Sequence, residues 1–253
     1  MFQNECEGMF ESDYAIFPSA HLSDGVIGDQ RWAKAHSKLM HGPDYIIVNE
    51  QVRGMKNNDS NSVPHIAITT GASDPGGILL ELIKWLNESN ITVNVKILFG
   101  FDFCFRAELE SMCSLVKPTI EVKEFNYKDL LSATLAVSTF GVTPYELIYA
   151  NIPVITLGHI QKNSIGGETL QRRYGCNYHL GLFQGVDREQ FISTVELLWN
   201  SSETLLAMKK KQKNLIDGKG LERVGKLIAN CCMRQRAPQG CGCANRTAMG
   251  VKQ

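Results

Sequence analysis

The residues whose types and spacing could do chemistry sit in two short loops, TGASDPGG at 70–77 and GVTPYE at 141–146. In the first, Asp74 is suited to a helix N-cap and Pro75 to the first helical position. Gly71 ends the preceding apolar run and, having no Cβ, lets a ligand come close to the backbone. In the second, Thr143 reads as the N-cap and Pro144 as the first helical residue, while Glu146 completes a Thr-x-x-Glu capping box. A helix start receives anions because its first N–H groups lack intrahelical partners and face the positive end of the helix dipole. Two such starts, with Gly71, Ser73 and Asp74 on one side and Gly141 and Thr143 on the other, would hold a nucleotide diphosphate. The Glu146 carboxylate would then accept hydrogen bonds from the vicinal hydroxyls of a ribose, since it can take two at once. A purely structural reading stands beside this one: each loop could be no more than a well-capped turn.

The elements around these loops must bring them together. From Val63 onward short apolar runs alternate with amphipathic stretches. Strands are expected at 65–69, 93–99, 119–122, 135–138, 154–157 and 177–180. Helices are expected at 77–87, 107–116, 127–133, 144–150, 168–174 and 188–200, with Ile78, Leu79, Leu82, Ile83 and Leu86 inward on the first. That alternation predicts an α/β domain, a Rossmann-like parallel sheet with helices on both faces. Two further helices, 203–216 and 221–232, would pack outside it. Residues 1–62 differ, with strands expected at 13–17 and 45–48 and a helix over 30–40. A polar run, KNNDSNS at 56–62, reads as a linker and marks a boundary. The tail from Arg234 is rich in Gly, Arg and Asn and reads as disordered.

Composition narrows the function classes. Lysine plus arginine and aspartate plus glutamate are 26 each, so no net charge points to nucleic acid or an acidic membrane surface. No apolar stretch is long enough to cross a bilayer, and the acidic start, MFQNECEGMFESD, lacks the order of a secretory signal. A cytoplasmic protein with no integral membrane segment is expected. Cys231, Cys232, Cys241 and Cys243 are spaced as CC and CxC, a poor match to the paired spacing of a zinc site. No metal and no cofactor are expected. The 70–77 loop is neither GxGxxG nor a P-loop, which argues against an NAD-dependent enzyme.

The order TTGASDPGG, then NYKDLLSATLAVSTFGVTPYELIYANIPVITLG, then LQRRYGCNYHLG resembles the nucleotide-binding domain of the UDP-sugar hydrolase of pseudaminic acid biosynthesis. It is also similar to spore-coat polysaccharide proteins and, more distantly, to MurG-type N-acetylglucosaminyltransferases. The phrase HGPDYIIV at 41–48 resembles the segment that closes the first domain of those proteins. The likeness covers about residues 40 to 200. It implies the C-terminal half of a GT-B fold, two Rossmann-like halves with a UDP-sugar bound between them. Residues 63–233 would be the UDP-sugar-binding domain, 1–62 a remnant of the acceptor-side domain and hinge, and 234–253 a tail. Gly71, Ser73, Asp74, Gly141, Thr143 and Glu146 match the family's GGSD-like and GGSTTxE-like motifs. Phe140, Val142 and Pro144 depart from them, and the Phe140 side chain would crowd the place where backbone approaches the ligand. The resemblance also assigns an Asn-Gln pair near the sugar or phosphates, for which Gln161 and Asn163, in a loop over 158–167, are the nearest candidates. An aromatic cluster at 99–105 could stack on uracil or simply pack.

The Gly-x-Gly-His segment that carries the family's proposed catalytic histidine is absent. His21, His36 and His41 lie outside any such pattern and read as surface or packing residues. Catalytic residues are thus unassigned. Two expectations follow from the resemblance. The chain is the UDP-sugar-binding part of a nucleotide-sugar hydrolase or glycosyltransferase, with the general base coming from residues 1–62 or from an acceptor-side protein partner. Alternatively, it is a truncated or degenerate relative that binds a nucleotide, or nothing, without turnover.

Overall fold

A computed structural model describes residues 1, 5–55 and 63–236. Six parallel strands form the main sheet: β3 (Ile66–Thr69), β4 (Val95–Phe99), β5 (Ile120–Glu124), β6 (Leu135–Thr139), β7 (Val154–Gly158) and β8 (Tyr178–Leu182). Their spatial order is β5-β4-β3-β6-β7-β8. The order reverses between β3 and β6, and in open α/β sheets the crevice beyond the carboxyl ends of the two strands at such a switch is where ligands bind. Two preceding strands, β1 (Tyr14–Phe17) and β2 (Lys38–His41), pair in parallel as a separate small sheet.

Successive side chains of a strand point to opposite faces, and each face has its own core. Ile66, Ile68, Leu135, Val137, Ile155 and Leu157 turn to one side. There they meet the buried stripe of α3 (Ile78–Glu88), together with α4 (Arg106–Cys113), α8 (Arg188–Asn200) and α9 (Ser202–Gln212). Ala67, Ala136 and Val154 face the other side, under α5 (Tyr127–Leu131), α6 (Thr143–Tyr149) and α7 (Gln161–Tyr174). The alternation read from the sequence is therefore present as an α/β sheet covered on both faces.

The second face also buries part of the N-terminal segment. Ile46, Val48 and Val52 lie in the same apolar cluster as Ala67, Leu147 and Ile148, and Val52 belongs to the short helix α2 (Glu50–Met55). The C-terminal helix α10 (Gly220–Arg236) crosses back to this segment, where Arg223 Nη1 donates to the Asp44 carbonyl at 2.9 Å. Arg173 of α7 pairs with Asp24, in the short helix α1 (Asp24–Ile27), and donates to the Ala20 carbonyl. The expected linker at 56–62 lies outside the described residues.

Four expectations are corrected. The helix over 30–40 is a single 3-10 turn, Gln30–Ala33, followed by β2. Leu39 pairs with Ala15, so sheet pairing and the small cluster around Met9 and Phe17 override the helical spacing. The strand at 45–48 is instead a 3-10 turn, Pro43–Tyr45, then irregular chain whose Ile46 and Val48 are buried. The tail does not start at Arg234, because α10 continues through Arg236; residues 237–253 lie outside the described residues.

The fourth correction concerns the site. What reads as a loop over 158–167 is largely helix, since α7 begins at Gln161. Gly166 and Gly167 are buried inside it. A Cβ on Gly166 would lie 2.7 Å from Phe140 Cε1 and 2.9 Å from His21 Cδ2. Close packing requires glycine there although its helix propensity is low.

Candidate functional site

At the carboxyl end of β3 the chain turns through Gly71, whose φ is +91°. Asp74 then takes a left-handed conformation, φ +44°, and is only 4% exposed. Its carboxylate accepts the amides of Ile78 at 3.1 Å and Leu79 at 2.8 Å, and the Thr70 hydroxyl at 3.0 Å. The formal N-cap of α3 is Gly77, not Asp74, and the helix opens at Ile78 rather than Pro75. Asp74 nevertheless closes the helix start from four residues upstream. Two of the amides an incoming phosphate would want are therefore occupied, and by a carboxylate. Ser73 is half-buried, its carbonyl accepting the Cys104 amide at 3.0 Å.

At the end of β6 the ring of Phe140 turns inward and is 2% exposed, so it leaves the surface at Gly141 and Val142 open. Val142 is the N-cap of α6 and Thr143 its first residue, with no side-chain capping bond. The expected capping box is thus not formed. Glu146 is 4% exposed and accepts the Tyr127 hydroxyl at 3.1 Å and the Asn49 backbone amide. Burial raises its pKa, and those two hydrogen bonds pull partly the other way. The Gly71 turn lies beside the end of β6, since a Cβ on Gly71 would stand 4.0 Å from Thr139 Oγ1.

Beside this switch point lies a cavity of about 480 Å³ between the N-terminal segment and the ends of β6 and α7. Pro18, Ser19, His21 and Ile46 form one wall, and Gly141, Val142, Tyr145, Lys162 and Asn163 the other. A second cavity, of about 490 Å³, shares Ser19, His21 and Lys162 and adds Glu5, Gln161 and Gly166. Of the residues expected from the sequence, Gly141 and Asn163 line the first cavity and Gln161 the second. Gly71, Ser73, Asp74, Thr143 and Glu146 line neither. Asn163 Nδ2 also donates to the Phe140 carbonyl at 2.6 Å, tying the first turn of α7 to the end of β6.

His21 packs against Phe140 and Tyr145, as a packing residue would, and also lines both cavities. Its Nδ1 hydrogen-bonds the Tyr145 hydroxyl, and its ring meets Phe140 edge-on at 5.0 Å. Burial, and next the nearby Lys162 charge, lower its pKa to about 4, so the imidazole is neutral at pH 7. His36, by contrast, is exposed and sits 3.6 Å from Asp13, and His41 belongs to β2. One sequence signal could have found His21: it follows the carboxyl end of a strand by four residues. Tyr145 and Lys162 carried no comparable mark.

In the 99–105 stretch, Phe99, Phe103 and Phe105 pack against one another, while Phe101 is 88% exposed. Cys231 and Cys232 lie on α10, and Cys241 and Cys243 fall outside the described residues. Among the described residues no helix is long and apolar enough to cross a membrane.

No protein-family model matches the chain. The spore coat polysaccharide biosynthesis protein SpsG of Bacillus subtilis (strain 168) is 20% identical over 218 residues, which cover 81% of this chain and 63% of that protein. The chain thus spans less than two thirds of that relative's length. Among solved structures, MurG of Acinetobacter baumannii superposes with a TM-score of 0.62 at 11% identity, over 86% of this chain and 66% of MurG. The spinosyn rhamnosyltransferase SpnG, complexed with thymidine diphosphate, gives a TM-score of 0.54 at 13% identity, over 84% and 56%. At these identities the structural likeness speaks for the fold, which is that of GT-B glycosyltransferases.

Proposed function

We propose that this chain binds a UDP-sugar at the carboxyl edge of its main sheet, as part of a nucleotide-sugar hydrolase or glycosyltransferase of surface polysaccharide or nonulosonic acid biosynthesis. The observation that carries this reading is the cavity between His21 and Ser19 on one wall and Gly141, Val142 and Asn163 on the other. It adjoins the carboxyl ends of β6 and β7, next to the switch point at which parallel α/β folds take their ligands. SpsG by its name acts in spore coat polysaccharide biosynthesis, and SpnG holds thymidine diphosphate. Both support a nucleotide-linked sugar as the ligand class.

In this reading Gly71, Ser73, Gly141 and Thr143 lie along the nucleotide, and Gln161 and Asn163 face the diphosphate or sugar. Glu146 would receive the ribose hydroxyls by exchanging one of its present donors, Tyr127 or Asn49, for them. Asp74 acts through α3, which it holds in place against Gly71. A general base would come from residues 1–62 or from an acceptor-side partner chain.

A second reading, binding without turnover, is favoured by the internal partners of Asp74 and Glu146. Calorimetry on the full chain separates these ideas. UDP should bind more tightly than UMP, ADP or NAD, and Glu146→Ala should weaken it about tenfold. Absence of UDP binding removes the nucleotide reading. Release of UDP from a UDP-sugar by the purified chain removes binding without turnover.

A further inference from the structure

The diphosphate of such a ligand needs compensating groups, and the start of α3 is a poor source of them. Asp74 already occupies the Ile78 and Leu79 amides and places a negative charge there. Two groups of suitable chemistry, His21 and Lys162, line the cavity beside Gly141 and Val142 and also the second cavity.

His21 is presented in a defined state. The Tyr145 hydroxyl oxygen accepts the backbone amide of Ala20 at 3.2 Å. A hydroxyl that already accepts a backbone amide is placed to give its own proton to its other partner, His21 Nδ1. With that direction the ring is the Nε2–H tautomer, and Nε2 has no hydrogen-bond partner among the described residues. Phe140 and Gly166 pack against the ring and restrict its rotation. A neutral imidazole so held is a donor of fixed direction. Lys162, whose side chain is 78% exposed, reaches the same space and stands 3.5 Å from Glu5. It is free to trade that surface pair for an anion, because such a pair contributes little.

We propose that His21, through Nε2–H, and Lys162, through its ammonium, hold the distal phosphate of the nucleoside diphosphate between the two cavities. This rests on the nucleotide reading above and names groups that the two sequence motifs do not contain. The Tyr145 hydroxyl is a positioning group: it selects the tautomer and touches no ligand atom.

The test compares UDP with UMP on the full chain at pH 7.5, by calorimetry, in wild type, His21→Leu, His21→Gln and Lys162→Met. A contact to the distal phosphate is made by UDP alone. The expected result is that His21→Leu weakens UDP about tenfold and leaves UMP within twofold. His21→Gln, which keeps an N–H near the Nε2 position, should recover most of the loss. Lys162→Met should weaken UDP several-fold and flatten its salt dependence. Nitrogen NMR of the His21 ring should report the Nε2–H tautomer in wild type and a mixed population in Tyr145→Phe. Circular dichroism establishes that each variant is folded. Equal losses for UDP and UMP in His21→Leu, or no loss for either, overturn the proposal while leaving the nucleotide reading intact. Failure of wild type to bind either nucleotide overturns both.

Discussion

The Tyr145 hydroxyl of α6 hydrogen-bonds Nδ1 of His21, a residue 124 positions earlier in the chain, and also accepts the Ala20 amide. Through this contact the helix that follows Gly141 grips the segment that follows β1. The two walls of the candidate cavity are thereby joined by one buried hydroxyl. Much of what can be tested about the site turns on groups held in this way.

His21 ties stability to pH. Its pKa is about 4 in the folded chain against about 6.5 unfolded. The unfolded state therefore takes up the proton first, and stability that is complete above pH 6.5 is lost as pH falls toward 4. Urea denaturation at pH 7.5, 6 and 5 should show that loss, on the order of 1–3 kcal/mol over the whole window. His21→Gln should remove its share, although His41 and His179, lowered mainly by burial, contribute in the same direction. An identical pH profile in the variant would refute this assignment.

Glu146 runs the opposite way. Burial raises its carboxyl pKa, so the folded state holds the proton more tightly, and stability falls as pH rises through that raised value. Glu146→Gln should raise the melting temperature by a few degrees at pH 7.5, with the gain vanishing at acid pH. The same variant should bind UDP more weakly. A variant that is both less stable at pH 7.5 and unchanged in UDP affinity would assign Glu146 a structural role only.

Asp74 caps α3 from a left-handed backbone position with three hydrogen bonds. Asp74→Ala should cost about 2–3 kcal/mol in denaturant titrations, because it strands buried donors and strains a residue with a Cβ and no polar side chain. Asp74→Asn, tolerant of that conformation, should cost roughly half as much. A loss below about 0.5 kcal/mol in the alanine variant would contradict the capping role.

Two glycines in helices should respond with opposite sign. Gly225 is exposed on α10, and a Cβ added there would meet nothing within 4 Å. Gly225→Ala should therefore stabilise by about 0.5–1 kcal/mol through helix propensity. Gly166→Ala would drive a Cβ into Phe140 and His21, and should destabilise by about 1–3 kcal/mol despite the same propensity gain. Thermal melts of the two variants side by side provide the measurement.

Local patterns carried the regular part of this protein. Ile78, Leu79, Leu82, Ile83 and Leu86 recur at helical spacing and are all buried on α3, and Arg188–Asn200 forms a helix with the bounds its periodicity predicts. Apolar strands alternating with amphipathic helices implied a sheet covered on both faces, and Ile66 and Ile68 are indeed buried on one side and Ala67 on the other. These features are visible in the chain because they depend on neighbours within a few residues. Gly141, Gln161 and Asn163 could be named on the same basis, from motifs and a resemblance, and all three line the cavities.

Other assignments needed contacts between distant residues. Asp74 and Glu146 look like ligand groups in the sequence, but their partners are Thr70 and the α3 amides in one case, Tyr127 and Asn49 in the other. Gly166 and Gly167 read as loop until Phe140, His21 and His179 are packed against them. His21 belongs to no motif, and its ring is hydrogen-bonded by a tyrosine far along the chain. Spacing in the sequence marks where a helix or strand begins; only the packed fold decides which hydrogen-bonding groups are already satisfied and which still face a cavity, because that depends on what each group meets across the core.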